Sequence, residues 1–342
     1  MATAYTTDSR FARHTLPNHP EHAGRLHAIA HAVTESGLLE RLVWVEPRYA
    51  APDDLLAVHS SAYLARLEAT RGHSLVMLDA DTYATGESYD IARLAAGAVL
   101  AITDAVLGGD ATNGLAAVRP PGHHATPNRA MGFCLLNNVA VAARYAQRQH
   151  GIERVAIVDF DVHHGNGTQD VFYGTPSVLY ISTHQSPLYP GTGAVSEVGE
   201  GAGVGFTVNI PLPPGVGDAG YGAAFERIVI PALRRFQPEV IFLSAGFDAH
   251  WADPLAQMAL SLAGYDSIVR RLVEQAAELC QGRVVAVLEG GYHLDALAYG
   301  WTNSIRAFLG DEGCDDPLGP ARATERDIDT VLSRIQAIHR LP

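Results

Sequence analysis

Cysteine is scarce in this chain, and its pattern excludes pairing. The three cysteines, Cys134, Cys280 and Cys314, are odd in number and far apart, with no C-x-x-C spacing. That argues against a disulfide framework and against a cysteine-built metal site, and it fits a reducing cytoplasm. Positive charge is also short. Twenty-four basic residues face 37 acidic ones, for a formal charge of −13. Phosphate backbones need a basic patch, so nucleic acid is not an expected partner. An acidic surplus suits a cationic substrate, although it more often marks a solvated surface. No apolar run is long enough to span a bilayer, and no membrane is expected as a partner. Ala95 to Leu107 comes nearest, but Thr103 and Asp104 interrupt it and Gly108-Gly109 end it, so it reads as a buried helix. Met1 to Arg13 is polar and holds no apolar signal core. Repeats and low-complexity linkers are missing too. The 342 residues are therefore read as a single domain, 1–342, with homo-oligomerisation left open.

What is present is alternation. Short apolar runs at Leu115 to Val118, Val155 to Val158, Val178 to Ile181, Phe206 to Ile210, Val240 to Leu243 and Val284 to Leu288 read as buried strands. Helical periodicity marks Glu21 to Ser36, Ser60 to Ala69, Ser88 to Leu107, Leu136 to Gln149, Tyr221 to Phe236, Gly264 to Cys280 and Leu294 to Leu309. Strands alternating with helices predict a mainly parallel sheet covered on both faces, a three-layer α/β fold. Such sheets hold ligands beyond the carboxyl ends of their strands. Residues suited to chemistry stand there: His123 and His124, then Asp159, Asp161 and His163, then His184, Asp248 and Tyr292.

The sharpest segment is DFDVHHGNG, Asp159 to Gly167. Asp161 and His163 are two apart near a strand end, so their side chains point the same way and can share a cation. Mixed nitrogen and oxygen ligation suits zinc and other first-row metals. A catalytic zinc usually takes three protein ligands, and Asp248 in SAGFDAHWADP is the preferred third. His250 repeats the D-x-H spacing and Asp253 is close by, so both stand as alternatives; His250 is better read as a pocket-rim histidine. RPPGHHA supplies adjacent histidines, His123 and His124. Activated water needs a base and a departing amine needs an acid, work that two histidines can divide. Asp159 is the natural partner to orient and charge one imidazole, and Asn166 could orient the other without charge. Tyr292, in EGGY, could donate to an oxyanion. Alone, the histidine pair or the tyrosine would be weak evidence; beside the metal-ligand spacing they gain weight. Phe133, after Gly132, and Tyr189, before Pro190, could wall a narrow apolar channel, although Phe133 is equally readable as core.

At RPPGHHA, GFCLLNN, DFDVHHGNGTQDVF, SAGFDAHWADP and EGGYH the chain resembles the histone deacetylase family, nearest its class II and bacterial amidohydrolase branch. The resemblance runs from about His19 to the helix after Tyr292. It implies the arginase–deacetylase fold, with a central parallel sheet of about eight strands. It implies hydrolysis of an acyl amide on a lysine side chain or similar amine. One zinc would be held by Asp161, His163 and Asp248, with His123 and His124 as the acid–base pair and Tyr292 polarising the carbonyl. Phe133 and Tyr189 would line the acyl tunnel, the Gly132 carbonyl would accept from the scissile N–H, and Gly291 and Leu255 would border the substrate. Asp81 resembles a rim aspartate that grips substrate backbone. Structural potassium would sit near Asp159 and Ser182, on carbonyls of Asp161, His163 and Thr183. A second would use carbonyls near Phe172, Thr175, Val178 and Phe206. Two departures bear on substrate. Asn166 stands where class I enzymes carry Asp, which makes the two histidines electrostatically unequal. Leu255 stands where the polyamine-selective relative has an acidic gatekeeper, and the insertion of bacterial acetylpolyamine enzymes is missing between Leu67 and Ser88; both argue against strict polyamine specificity. A binuclear manganese ureohydrolase-like enzyme and a non-catalytic acyl-lysine binding module are the rival readings.

Overall fold

The computed structural model describes residues 2–322 and 324–342. Its strands, in chain order, are β1 (Thr3–Thr6), β2 (Val43–Trp44), β3 (Val76–Met77), β4 (Tyr83–Ala84), β5 (Asn113–Ala116), β6 (Val155–Asp159), β7 (Val178–Gln185), β8 (Thr207–Leu212), β9 (Val240–Ala245) and β10 (Val284–Leu288). Eight of them form one sheet in the order β2-β1-β5-β10-β9-β6-β7-β8, with every neighbouring pair parallel. β3 and β4 form a separate antiparallel pair. β5, β6, β9 and β10 are buried along their whole length, which requires cover on both faces.

Helices supply that cover: α1 (Gly24–Glu35), α2 (Pro52–Leu56), α3 (Ser61–Glu68), α4 (Ser88–Gly108), α5 (Asn138–His150), α6 (Asn166–Phe172), α7 (Asp218–Ala224), α8 (Ile230–Phe236), α9 (Leu262–Cys280), α10 (Leu294–Leu309) and α11 (Asp329–His339). α4 packs with α5, and the pair lies on strands of the central sheet; α1, α10 and α9 pack on one another and on β5 and β9. Side-chain caps set where several helices begin. Asn137 accepts from the Ala140 amide, Ser261 from Gly264 and His293 from Ala296, each satisfying a backbone donor that the helix cannot. Among the described residues α4 is the one helix long and apolar enough to cross a membrane, but 78% of that stretch is buried inside the protein. It is the core helix that the run Ala95 to Leu107 predicts.

Besides the short elements β2, β3, β4, α2 and α6, which the sequence reading did not expect, the structure differs from it at four places. The polar amino terminus contains β1, which is buried at every residue and paired with both β2 and β5. Threonine hides it from a search for apolar runs, yet the Thr3 hydroxyl is satisfied by the Phe308 carbonyl at 3.2 Å. The expected helix from Tyr221 to Phe236 is split by a π-turn at Phe225–Val229. Pro231, in the first turn of α8, has no N–H to continue the regular ladder. β7 runs on through Ser182, Thr183, His184 and Gln185, because each of them still pairs with β8. His184 is therefore a strand residue, not one that follows a strand. Finally, α11 continues past the last expected helix and packs on β8.

Candidate active site

The order of the sheet explains why distant sequence segments meet. β9 and β10 enter between β5 and β6. The carboxyl ends of these four central strands then bring together the loop of His123 and His124, the loop of Tyr292, Asp248, and the segment of Asp161 and His163. This is the position at which an open parallel sheet leaves a crevice.

One ligand atom each from Asp161, His163 and Asp248 lies within 4.8 Å of the others. His163 Nδ1 is 3.2 Å from Asp161 Oδ1 and 3.2 Å from Asp248 Oδ2. The other carboxylate oxygens are engaged by backbone: Asp161 Oδ2 accepts from Gly290 N at 2.7 Å, and Asp248 Oδ1 from Val162 N at 2.9 Å. Glycine is required around them. A Cβ on Gly290 would collide with both carboxylates, and one on Gly246 would collide with Asp161. Two carboxylates and an imidazole nitrogen converging in a buried cradle form a donor set that fits a divalent first-row ion such as zinc. His250 lies outside this group. Its Nδ1 accepts from Ala252 N at 3.1 Å, so the alternative ligand does not join the cluster. Asp253 serves the backbone instead, accepting from the amides of Leu255, Tyr292 and His293 at 3.0, 2.7 and 3.1 Å.

The two histidines stand side by side, with ring centroids 4.1 Å apart, in different company. His123 Nδ1 is 3.1 Å from Asp159 Oδ2, whereas His124 Nδ1 is 2.8 Å from the Asn166 amide oxygen. Burial alone would lower His123, but Asp161 and Asp159 outweigh it and raise it to about 10. Burial holds His124 well below its ordinary value, reinforced by His123 and His163. A carboxylate on one side and a neutral amide on the other therefore make the pair unequal.

Tyr292 is partly exposed, and desolvation of its phenol keeps its pKa well above the ordinary value against the pull of Arg25, so the hydroxyl remains a donor. The Arg25 guanidinium lies 5.1 Å from the centre of its ring. Phe133 meets Tyr292 edge to face at 5.8 Å and His19 at 4.7 Å. Gly132 and Phe133 both have positive φ, 54° and 68°. For phenylalanine that conformation is costly and is held by its surroundings; the Phe133 amide donates to Thr82 Oγ1 at 3.0 Å. Phe133 lies outside the apolar core cluster, which favours the wall reading over the core one. Tyr189, 37% exposed, stands edge to face with His124 at 5.1 Å. Leu255 borders a cavity of about 620 Å³ shared with His19, Pro254 and Tyr292. Asp81 is half-buried beside His19, whose Nε2 is 3.0 Å from its carbonyl. Gly291, with φ 119°, makes the turn before Tyr292. Asp159 and Ser182 are register partners across β6 and β7. Of the other group, the Phe172 carbonyl accepts from Thr175 N and the Phe206 carbonyl from Tyr180 N, both at 2.9 Å, and Val178 opens β7.

Several positioning groups, most of them buried, escaped the sequence reading. The Glu289 carboxylate accepts from Gly122 N at 2.6 Å and His123 N at 3.1 Å, and so fixes the loop that carries the histidines. Arg25 donates to the carbonyls of Gly291 and Glu289 at 2.7 and 2.6 Å, and so fixes the Tyr292 turn. Glu21 is buried between Arg25 and Arg119 and is ion-paired with both. Glu197 accepts from Gly193 N and Ala194 N, and His164 Nδ1 bonds Thr192 Oγ1 at 2.8 Å. Together with His184, whose Nε2 is 2.9 Å from the Gly193 carbonyl, they hold the loop after Tyr189. The available signal was a charged residue abutting an apolar element, as Glu289 does at the end of β10. Nothing in one sequence says which backbone it would hold.

A parallel α/β sheet with a three-donor cation cradle, a paired imidazole and a tyrosine at its carboxyl edge defines a class of metal-assisted hydrolases. The sequence model of the Histone deacetylase domain matches residues 19–308, and the chain belongs to that family. It is 40% identical to histone deacetylase 14, chloroplastic, of Arabidopsis thaliana over 96% of this chain and 82% of that protein. It is 44% identical to a probable deacetylase of Archaeoglobus fulgidus, over 91% of this chain and 87% of the relative. With the histone deacetylase-like amidohydrolase of Pseudomonas aeruginosa the identity is 45%, over 75% of this chain and 68% of the relative. The crystal structure of the HDA15 HD domain has a TM-score of 0.89 and 38% identity, covering 99% of this chain and 94% of that one. The fold is thus the arginase–deacetylase fold, and the family is one of deacetylases and related amidohydrolases.

Proposed function

We propose that this chain is a zinc-dependent amidohydrolase that removes acetyl or related acyl groups from lysine side chains or similar amines. The observation that carries this reading is the convergence of Asp161, His163 and Asp248 on one point beside His123 and His124. When bound there, a zinc ion would act as a Lewis acid toward the acyl carbonyl and lower the pKa of a water molecule. The remaining work falls to the chain. His124 holds its Nδ1 proton on the Asn166 carbonyl oxygen, which leaves Nε2 free to take a proton from water and return it to the departing amine. His123, paired with Asp159 through Nδ1, offsets negative charge as it builds on the acyl carbon's oxygen whenever its ring is protonated. The Tyr292 hydroxyl donates to the same oxygen. Phe133 and Tyr189 exclude water along the acyl chain, and the Gly132 carbonyl receives the amide N–H.

Leu255 puts a neutral side chain at the mouth, which supports acyl-lysine over a polycationic amine. The residue groups at Asp159 with Ser182 and at Phe172 with Phe206 are the proposed structural potassium sites. The three free cysteines support a reducing compartment, for which the cytoplasm is proposed. The decisive experiment is metal analysis of the purified protein together with turnover of matched acetyl-lysine peptides, longer acyl-lysines and acetylpolyamines. The reading expects one equivalent of transition metal, lost in Asp161→Ala, and hydrolysis of acyl-lysine. Two equivalents would replace it with the binuclear reading, and a metal-loaded chain inert to the whole panel would leave a binding module.

A further inference from the structure

The other end of the sheet holds a second feature. A cavity of about 740 Å³ opens beside the amino ends of β6, β7 and β8, where Arg154, Pro176 and Phe206 precede those strands. Leu179, Phe236 and Ile338 extend its apolar wall. Its volume is in the range of pockets that enclose a small ligand, about 300–1,000 Å³.

Its polar groups are few and of one kind. Three arginines reach it: Arg154, Arg235 and Arg340. Arg154 donates to the Gln237 carbonyl at 2.8 Å, and its nearest carboxylates, on Glu153 and Glu239, stand off at 3.8 and 3.9 Å. Arg235 donates to the His339 carbonyl. Among the described residues neither Arg235 nor Arg340 has a carboxylate within ion-pair distance. Three cations on the lining of one cavity stand out in a chain of formal charge −13. His339 lines the same cavity, is only 5% exposed, and has a buried Nε2 with no hydrogen-bond partner.

These groups select one chemistry. The guanidinium fork matches a carboxylate in shape and charge. The carbon walls offer a polyol or sugar little to bond. An occupant with one anionic end and an apolar body satisfies both. We propose that this cavity binds a monocarboxylate with an apolar chain, its head on Arg340 and Arg235 and its chain against Phe206 and Phe236. The acid that an acyl-amide hydrolase releases is of the same class, but binding here does not rest on that reaction.

Decanoate titrated calorimetrically into the purified protein tests the proposal, with decanol as the uncharged control. One equivalent of decanoate should bind in preference to decanol. Arg340→Asn should weaken it about tenfold; Arg340 has φ 51°, a conformation that asparagine accepts readily. Ile338→Trp, at a 40% exposed rim position, should exclude the chain, with an unchanged circular dichroism spectrum reporting an intact fold. Tyr189→Ala, at the opposite edge, should leave affinity unchanged. Absence of binding, equal affinity for decanol, or affinity that responds to Tyr189→Ala and not to the cavity variants would each overturn the proposal; the last would put the ligand in the tunnel.

Discussion

At the carboxyl ends of β5, β6, β9 and β10, carboxylates and imidazoles are buried and most of their polar atoms have partners, His250 Nε2 being an exception. At the amino ends of β6, β7 and β8, the walls are apolar, the cations are arginines, and His339 Nε2 has no partner. Both regions lie on one parallel sheet, so the contrast arises from what surrounds the strand ends. At the carboxyl edge Glu289 and Arg25 spend their hydrogen bonds on backbone, and Glu21 holds Arg25 and Arg119 in place by ion pairs. That over-determination is what holds a reactive constellation rigid. At the amino edge Arg154 and Arg235 each donate to a carbonyl, and Arg235 and Arg340 have no carboxylate partner among the described residues, which suits recognition of an anionic ligand. Buried charge at one end thus serves geometry, and partly exposed charge at the other serves binding.

Four experiments would break or sharpen this contrast. The largest effect is expected at Glu21, the carboxylate buried between Arg25 and Arg119. Glu21→Ala leaves two buried cations uncompensated and should destabilise the fold by about 3–5 kcal/mol, read as a lowered denaturation midpoint; an unchanged midpoint would mean that the cluster holds nothing. Tyr292→Phe should come next. Losing one oxyanion donor should cost about 3 kcal/mol, a fall in kcat of roughly a hundredfold or more, with metal content and fold intact. Near-normal turnover would remove Tyr292 from the chemistry. Acidification should have an intermediate effect. Burial depresses His14 to about 3 and His59 to about 4, below their ordinary 6.5. Protonation therefore favours the unfolded chain. The contribution of these two histidines should be full above pH 6.5 and decline as the pH falls toward 4, by roughly 2 kcal/mol per histidine at about pH 5. Glu21 remains ionised across that window: burial raises it, but Arg119 and Arg25 prevail and hold it at about 2. Denaturant titrations at successive pH values would measure this, and a flat profile would contradict it. The smallest effect belongs to the amino edge. Arg340→Asn should change stability by less than about 0.5 kcal/mol and leave turnover as it was. A large loss of activity would show that the two ends are not independent.

The site was legible where one short segment contains its own logic. The i, i+2 spacing of Asp161 and His163 just past β6 was readable in the sequence, although both lie in a bend beyond the strand, and backbone amides of Gly290 and Val162 fix the carboxylates around them. His123 and His124 carry their chemistry in residue type, and Asn166 and Asp159 proved to be their partners. Glu289, Arg25 and Glu197 were not legible, because each acts on backbone far away in sequence or around a loop. β1 was not legible because its threonines look solvated until the Phe308 carbonyl and the flanking strands are in place.

By itself, then, the sequence determined the periodicities: apolar runs of strand length, helices between them, and polar residues waiting where the strands stop. Those follow from local geometry and burial. Only the tertiary structure decided that β9 and β10 slot between β5 and β6. That choice depends on which apolar faces pack best across the whole sheet. It is also what brings Asp248 and Tyr292 to within reach of Asp161, His163 and the paired histidines.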